Sequence, residues 1–171
     1  LNDIKHRVAV YPHFPKKISP IFYVLELFPE SDLSQQLELC QYLKVSNEMV
    51  HLVEYLYHLR RSLELPLDSV KHVHALAHPL SDVCLEVIAA KKPPAERQEF
   101  LKGQQQFKNE YKTHIERVKS KKPLVQAAHL MQRGMLPGKE MGGYLKRAEQ
   151  IAILNNLEDR EKVLQILLEE K

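Results

Sequence analysis

Between Ser46 and Glu64 the apolar residues Met49, Val53, Leu56, Leu59 and Leu63 return every three or four positions. That spacing lines one face of a helix and does not suit a strand, whose faces alternate at every second residue. The same rhythm recurs along most of the chain. Period-two alternation is almost absent, and only Val8 to Tyr11 reads as a short extended piece. The expected fold is therefore all-α, an irregular array of about eight or nine helices.

Capping residues and prolines divide this pattern into elements. Residues 18–28 are apolar nearly all round and predict a central buried helix. Ser31 or Asp32 opens a helix over 32–44, and Ser46 caps the long helix that Pro66 ends near Glu64. Asp68 caps a short helix to Ala77, and Ser81 caps another to Ala90 after the break at Pro79. Lys91-Lys92-Pro93-Pro94 is the clearest linker, because the residue before a proline is pushed away from the helical region. It separates two expected helical modules, 1–92 and 93–171. The second opens with a long polar helix over 95–120, with a narrow stripe of Phe100, Phe107, Tyr111, His114 or Ile115, and Val118. Pro123 starts a short helix to Gln132, Pro137-Gly138 starts another to Asn155, and Glu158 or Asp159 opens the last, to Glu169.

Composition narrows the class. With 44% apolar and 27% charged residues, the chain can build a core but does not resemble a membrane protein. Its longest apolar stretch, Ile18 to Phe28, is interrupted by Ser19, Pro20 and Glu26, far short of the roughly 18 residues a span requires. The first residue is Leu and nothing near it resembles a signal peptide, so the sequence reads as a piece of a longer, cytoplasmic protein. Cys40 and Cys84 make neither a CxxC pair nor a zinc spacing. They read as small buried thiols, with a disulfide as the less favoured alternative.

No complete catalytic constellation is present. His72, His74 and His78 cluster in HVHALAH, and a helix would place His74 and His78 on one face, as metal ligands require. There is no HExxH and no His-Asp pair, so ordinary helix histidines are the simpler reading. GKEMGG lacks the spacing of a phosphate loop, and no GxSxG occurs. The acidic cluster around Glu158, Asp159 and Glu161 is explained by the positive end of a helix dipole. No strand-borne aspartate pair is available to hold two metal ions.

Charge is uneven. Residues 119–147 hold seven basic side chains, Lys119, Lys121, Lys122, Arg133, Lys139, Lys146 and Arg147, and one acid, Glu140. That stretch is +6 in a chain whose total is only +3, an asymmetry that points to a polyanion partner. Within it, Gly134 is a natural helix stop and Pro137-Gly138 a tight turn. The free backbone N–H groups of the next helix favour an anion, with Lys139 at the entrance. Gly142 and Gly143 each cost a helix roughly 1 kcal/mol relative to alanine. Such a cost fits close approach of a partner, either a sugar–phosphate backbone or another helix.

The run PLVQAAHLMQRGMLPGKEMGGYLKRAEQIAILNNLEDREKVLQILL resembles the C-terminal region of bacterial tRNA nucleotidyltransferases, the class II CCA-adding enzymes, and their poly(A) polymerase relatives. The pieces that carry the resemblance are Gly134, Pro137, Gly138, Gly142 and Leu145, then Leu157 to Leu168. Upstream, LCQYLKVSNEMVHLVEYL resembles the helical body of the same family. One departure is clear: the family often carries an aspartate before the leucine that precedes the glycine turn, and here His129 precedes Leu130. The neck signature Glu-Asp-x-x-Arg is also absent, since Glu158-Asp159 is followed at once by Arg160.

The resemblance implies a body and tail that hold tRNA or another RNA. The catalytic head and the nucleotide-selecting neck, with magnesium and CTP or ATP, would lie elsewhere in the parent enzyme. This chain alone would then be non-catalytic and bind no cofactor, membrane or DNA. CCA addition and poly(A) addition, and the oligomeric state, stay open. The rival reading is a non-catalytic helical protein-interaction module, which would present an exposed apolar patch instead of a lysine-lined strip.

Overall fold

The computed structural model describes residues 2–170. Among these there are eleven α-helices, one 3-10 turn at Tyr11–His13 and no strand, the all-α architecture expected. The helices are α1 (Asn2–Val8), α2 (Ile21–Glu26), α3 (Leu33–Tyr42), α4 (Asn47–Glu64), α5 (Ser69–Leu76) and α6 (Ser81–Ala90). They continue with α7 (Pro94–Glu110), α8 (Lys112–Ser120), α9 (Ala127–Gln132), α10 (Met141–Leu154) and α11 (Arg160–Glu169). No single helix among the described residues is long and apolar enough to cross a membrane.

Local chemistry accounts for most helix starts. The Asp32 carboxylate accepts the Gln35 N–H at 2.9 Å, and the Gln35 side chain accepts the Asp32 N–H at 3.0 Å, closing a capping box on α3. Ser46 caps α4 through the Met49 N–H. Asp68 caps α5 through the Lys71 N–H, and that backbone hydrogen bond holds its carboxyl below the usual range. Asp159 caps α11 through the Glu161 N–H. Ser81 is different: Leu80 occupies the cap position of α6, and Ser81 is buried within the first turn.

Other sequence expectations are corrected, among them the start of α9, which is Ala127 and not Pro123. The piece at Val8 to Tyr11 is not extended, since α1 runs to Val8 and the 3-10 turn begins at Tyr11. Helix α2 is short, because Pro20 sets its start and Pro29 disfavours helical backbone at Phe28. The long polar helix breaks once, at Tyr111, whose dihedrals leave the helical region (φ −101°, ψ 20°) with neither proline nor glycine there. Finally, α10 begins at Met141, after the Gly138–Met141 turn closes through a 3.1 Å backbone bond.

The chain forms two compact units. The first comprises the chain up to Leu67 together with Pro79–Gln105, and the second Asp68–His78 with everything from Gln106 onward. This division does not follow the proline linker: Pro94 opens α7, and α5 belongs with the second unit because it packs on α8 and α10.

In the first unit α4 packs on α3 and α6 and buries Leu52, Val53, Leu56 and Leu59. Each such side chain contributes about 1.5–3 kcal/mol of burial. The Glu26 carboxylate, 3% exposed, is bonded by Arg60 and Lys91, each at 2.7 Å. One buried acid thus links α2 to α4 and to the end of α6. Cys40 and Cys84 are both buried free thiols, and burial pushes Cys84 up to about 12, so neither is poised as a nucleophile.

In the second unit α10 packs on α11 and α5. Leu130, Ile151, Ala152, Val163 and Leu164 are the centre of its core, each at most 2% exposed. Along α7 and α8 an aromatic ladder forms. The His72 ring meets Phe107 edge-on at 4.5 Å, and Phe107 stacks on Tyr111 at 4.4 Å.

Candidate nucleic-acid interface

The seven basic residues of the strip all lie in the second unit, and all are exposed, but they are not equivalent. Lys119, Lys121 and Lys122 gather at the C-terminal end of α8. Lys121 stands there in the left-handed region (φ 54°), and Lys122 N–H bonds the Arg117 carbonyl, the six-to-one bond of a Schellman ending. Arg133 caps the end of α9 and its guanidinium is paired with Glu161. Lys139 lies in the turn before α10, two residues ahead of the first helical residue instead of on the helix. Lys146 projects from α10. Arg147, next to it, is engaged by both oxygens of Glu170, each at 2.8 Å. This pair holds the Glu170 carboxyl below the usual range, chiefly by its hydrogen bonds to Arg147.

Two of the seven charges are therefore spent within the fold. Lys119, Lys121, Lys122, Lys139 and Lys146 form no ion pair among the described residues, so five cations face solvent. Arg133 and Arg147 would have to leave a carboxylate to meet a phosphate.

The opening of α10, like those of α2, α6 and α8, has no side-chain cap. Glu140 at the cap has helical dihedrals and supplies no side-chain cap. The Met141 N–H bonds Gly138 and the Tyr144 N–H bonds Glu140, while the N–H groups of Gly142 and Gly143 have no acceptor among the described residues. Nothing within the fold needs glycine at these positions either. A Cβ added at Gly142 or Gly143 would meet no atom within 4 Å, and neither residue has a positive φ. Gly134, in contrast, has φ +84° and ends α9 as a left-handed stop, with the Met135 N–H bonded to the Leu130 carbonyl. Pro137 and Gly138 sit in the exposed turn that follows. Beside the exposed start of α10 lies a shallow cleft of about 450 Å³, lined by Glu140, Gly143, Tyr144 and Arg147 with Leu167 and Glu170 of α11.

The second unit also holds a polar cluster that sequence reasoning missed. His114, fully buried, takes the Arg117 guanidinium on Nδ1 at 2.5 Å and lies 3.0 Å from the Asn156 Oδ1 through Nε2. Because Arg117 can only donate, Nδ1 is the acceptor and Nε2 carries the proton given to Asn156. Burial, then the Arg117 charge, lower the His114 pKa. Arg117 reaches Glu149 of α10 at 3.8 Å, and the cluster ties α8 to the end of α10. His114 fell within the expected apolar stripe, but its partners lie far along the chain, so the spacing carried no signal of them.

His129, which departs from the family pattern, accepts the Gln126 N–H at 3.0 Å on Nδ1, and its Nε2 lies 3.1 Å from Arg160 of α11. The HVHALAH histidines are set apart from one another. His72 is buried against Phe107 and His74 is exposed, while His78 lies beyond the end of α5, so the helix does not bring His74 and His78 to one face. Among the described residues no group of three or more His, Cys, Asp or Glu side chains could hold a metal ion. No protein-family model, curated protein or solved structure matches the chain.

Proposed function

We propose that the second unit grips the sugar–phosphate backbone of RNA, and that the chain is the tRNA-binding body and tail of a nucleotidyltransferase that adds CCA or poly(A) to RNA 3′ ends. The observation that carries this reading is the start of α10. There, two exposed glycines leave their N–H groups unbonded, nothing inside the fold requires them, and Lys139 stands just ahead. A helix start with free N–H groups favours an anion, and glycine lets a backbone approach closely. The four other unpaired lysines supply the charge that fixes RNA position without reading sequence.

In this reading the chain positions and does not react. Held RNA presents its 3′ end to a distant catalytic head, which lowers the entropic cost of the reaction. Magnesium and CTP or ATP would be held by that head and by the neck, as the resemblance implies. The test is a gel-shift titration with folded tRNA beside a single strand of equal length, together with a nucleotide-incorporation assay. The chain is expected to prefer the folded tRNA and to add no nucleotide. Equal binding of both RNAs, or robust CTP or ATP incorporation, would contradict the proposal.

A further inference from the structure

The first unit carries a groove that the RNA reading does not use. It is a cleft of about 580 Å³ between the end of α1, the turn after α2, and α3. The α3 wall is formed by Gln35, Glu38, Leu39 and Tyr42. These positions, i, i+3, i+4 and i+7, make one stripe that follows the helix for about 10 Å. The turn supplies Phe28 and Pro29 on the opposite side. Phe28 is 48% exposed and Tyr42 83%, so large apolar surface is left open.

The polar lining is mostly committed. Arg7 donates to the Leu27 carbonyl and pairs with Asp3 at 2.6 Å. Ser31 donates to the Phe28 carbonyl, and Gln35 accepts the Asp32 N–H. The remaining ionised side chains are Glu30 on one wall and Glu38 on the other, both exposed and neither paired among the described residues. The groove thus offers an elongated apolar floor flanked by two free negative charges. Its complement is an apolar stripe flanked by positive charges, with a length of about two helical turns.

We propose that this groove docks a basic amphipathic helix of a protein partner, its apolar side chains against Phe28, Leu39 and Tyr42 and its lysines or arginines on Glu30 and Glu38. The proposal stands independently of RNA binding, since it concerns other residues in the other unit. The elongated stripe favours a helix over a compact small molecule, and the two unpaired carboxylates favour a basic peptide over an acidic one.

The experiment is fluorescence anisotropy on the full chain with a labelled synthetic helix of about 14 residues, leucines at three-to-four spacing and lysines on both flanks. A second peptide carries glutamate in place of each lysine. The basic peptide is expected to bind saturably, and the acidic one at least about tenfold more weakly. Glu30→Lys with Glu38→Lys should reduce basic-peptide affinity by about tenfold or more, and Tyr42→Ala by a comparable factor. All three side chains are exposed, so circular dichroism should show unchanged folding. Equal affinity for the two peptides would overturn the proposal, as would unchanged binding in the charge-reversal variant or no saturation up to about 1 mM. Sedimentation of the chain alone supplies the remaining outcome: a dimer that the double charge reversal abolishes would assign the groove to a second copy and overturn the partner helix.

Discussion

His114 is a buried side chain whose protonation should oppose the folded state in acid. Its Nδ1 accepts from Arg117 only while the ring is neutral, and the charged groups around it are Arg117, Glu149 and Glu158. Its folded pKa is lowered below the ordinary 6.5. The unfolded chain therefore binds a proton that the folded chain refuses. The associated stability is present above about pH 6.5 and is lost as pH falls toward the folded value. His78, also lowered by burial, acts in the same direction. Thermal melts should show a midpoint that declines from pH 7 to pH 5. His114→Ala should cost about 2–4 kcal/mol at pH 7, since it leaves Arg117 and Asn156 without their partner, and should flatten the decline. A midpoint independent of pH over that range, in wild type, would contradict this assignment.

At the scale of elements, the two glycines of α10 separate fold from function. Because a Cβ there meets no neighbour and the backbone is helical, Gly142→Ala and Gly143→Ala should each stabilise the chain by about 0.5–1 kcal/mol. The same substitutions should weaken tRNA binding, since a methyl group blocks close approach to the free N–H groups. Melting temperature and RNA affinity would then move in opposite directions. If both variants were more stable and bound tRNA as before, glycine would have no role at that surface.

How far these elements could be read from sequence depended on whether the determinant was local. Asp32, Ser46 and Asp68 cap helices by bonds to residues three positions on, and Pro66 follows the end of α4, so these boundaries were legible. The break at Tyr111 carries no proline or glycine and could not be read. Lys44 and Lys121 take left-handed helix ends that glycine usually marks, whereas Gly134 announced its own. In the candidate site the charges were visible but their pairing was not. Arg133 meets an acid 28 residues away and Arg147 one 23 residues away, and only the folded chain brings them together. Likewise, Gly142 and Gly143 stood out by type, but that a Cβ on either would meet no neighbouring atom within 4 Å is a tertiary fact.

The whole molecule carries a net charge of only +3, yet five unpaired lysines share one compact unit while the open acidic groove lies in the other. Total charge is a poor guide here, and the distribution by unit decides which partner each surface can take. The central claim, that the second unit holds an RNA backbone, is a claim about counterions. Each phosphate neutralised by a lysine releases condensed cations, so affinity falls with salt on a logarithmic slope that counts contacts. The measurement is a filter-binding titration of folded tRNA over a range of salt concentrations, for wild type and for the Lys139→Ala, Lys146→Ala double variant. Wild type should lose affinity steeply as salt rises, and the double variant should bind more weakly with a shallower slope, by about 0.7–0.9 for each lost contact. Salt-insensitive binding, or identical slopes in the two proteins, would contradict the account and leave the lysines as a solvated face.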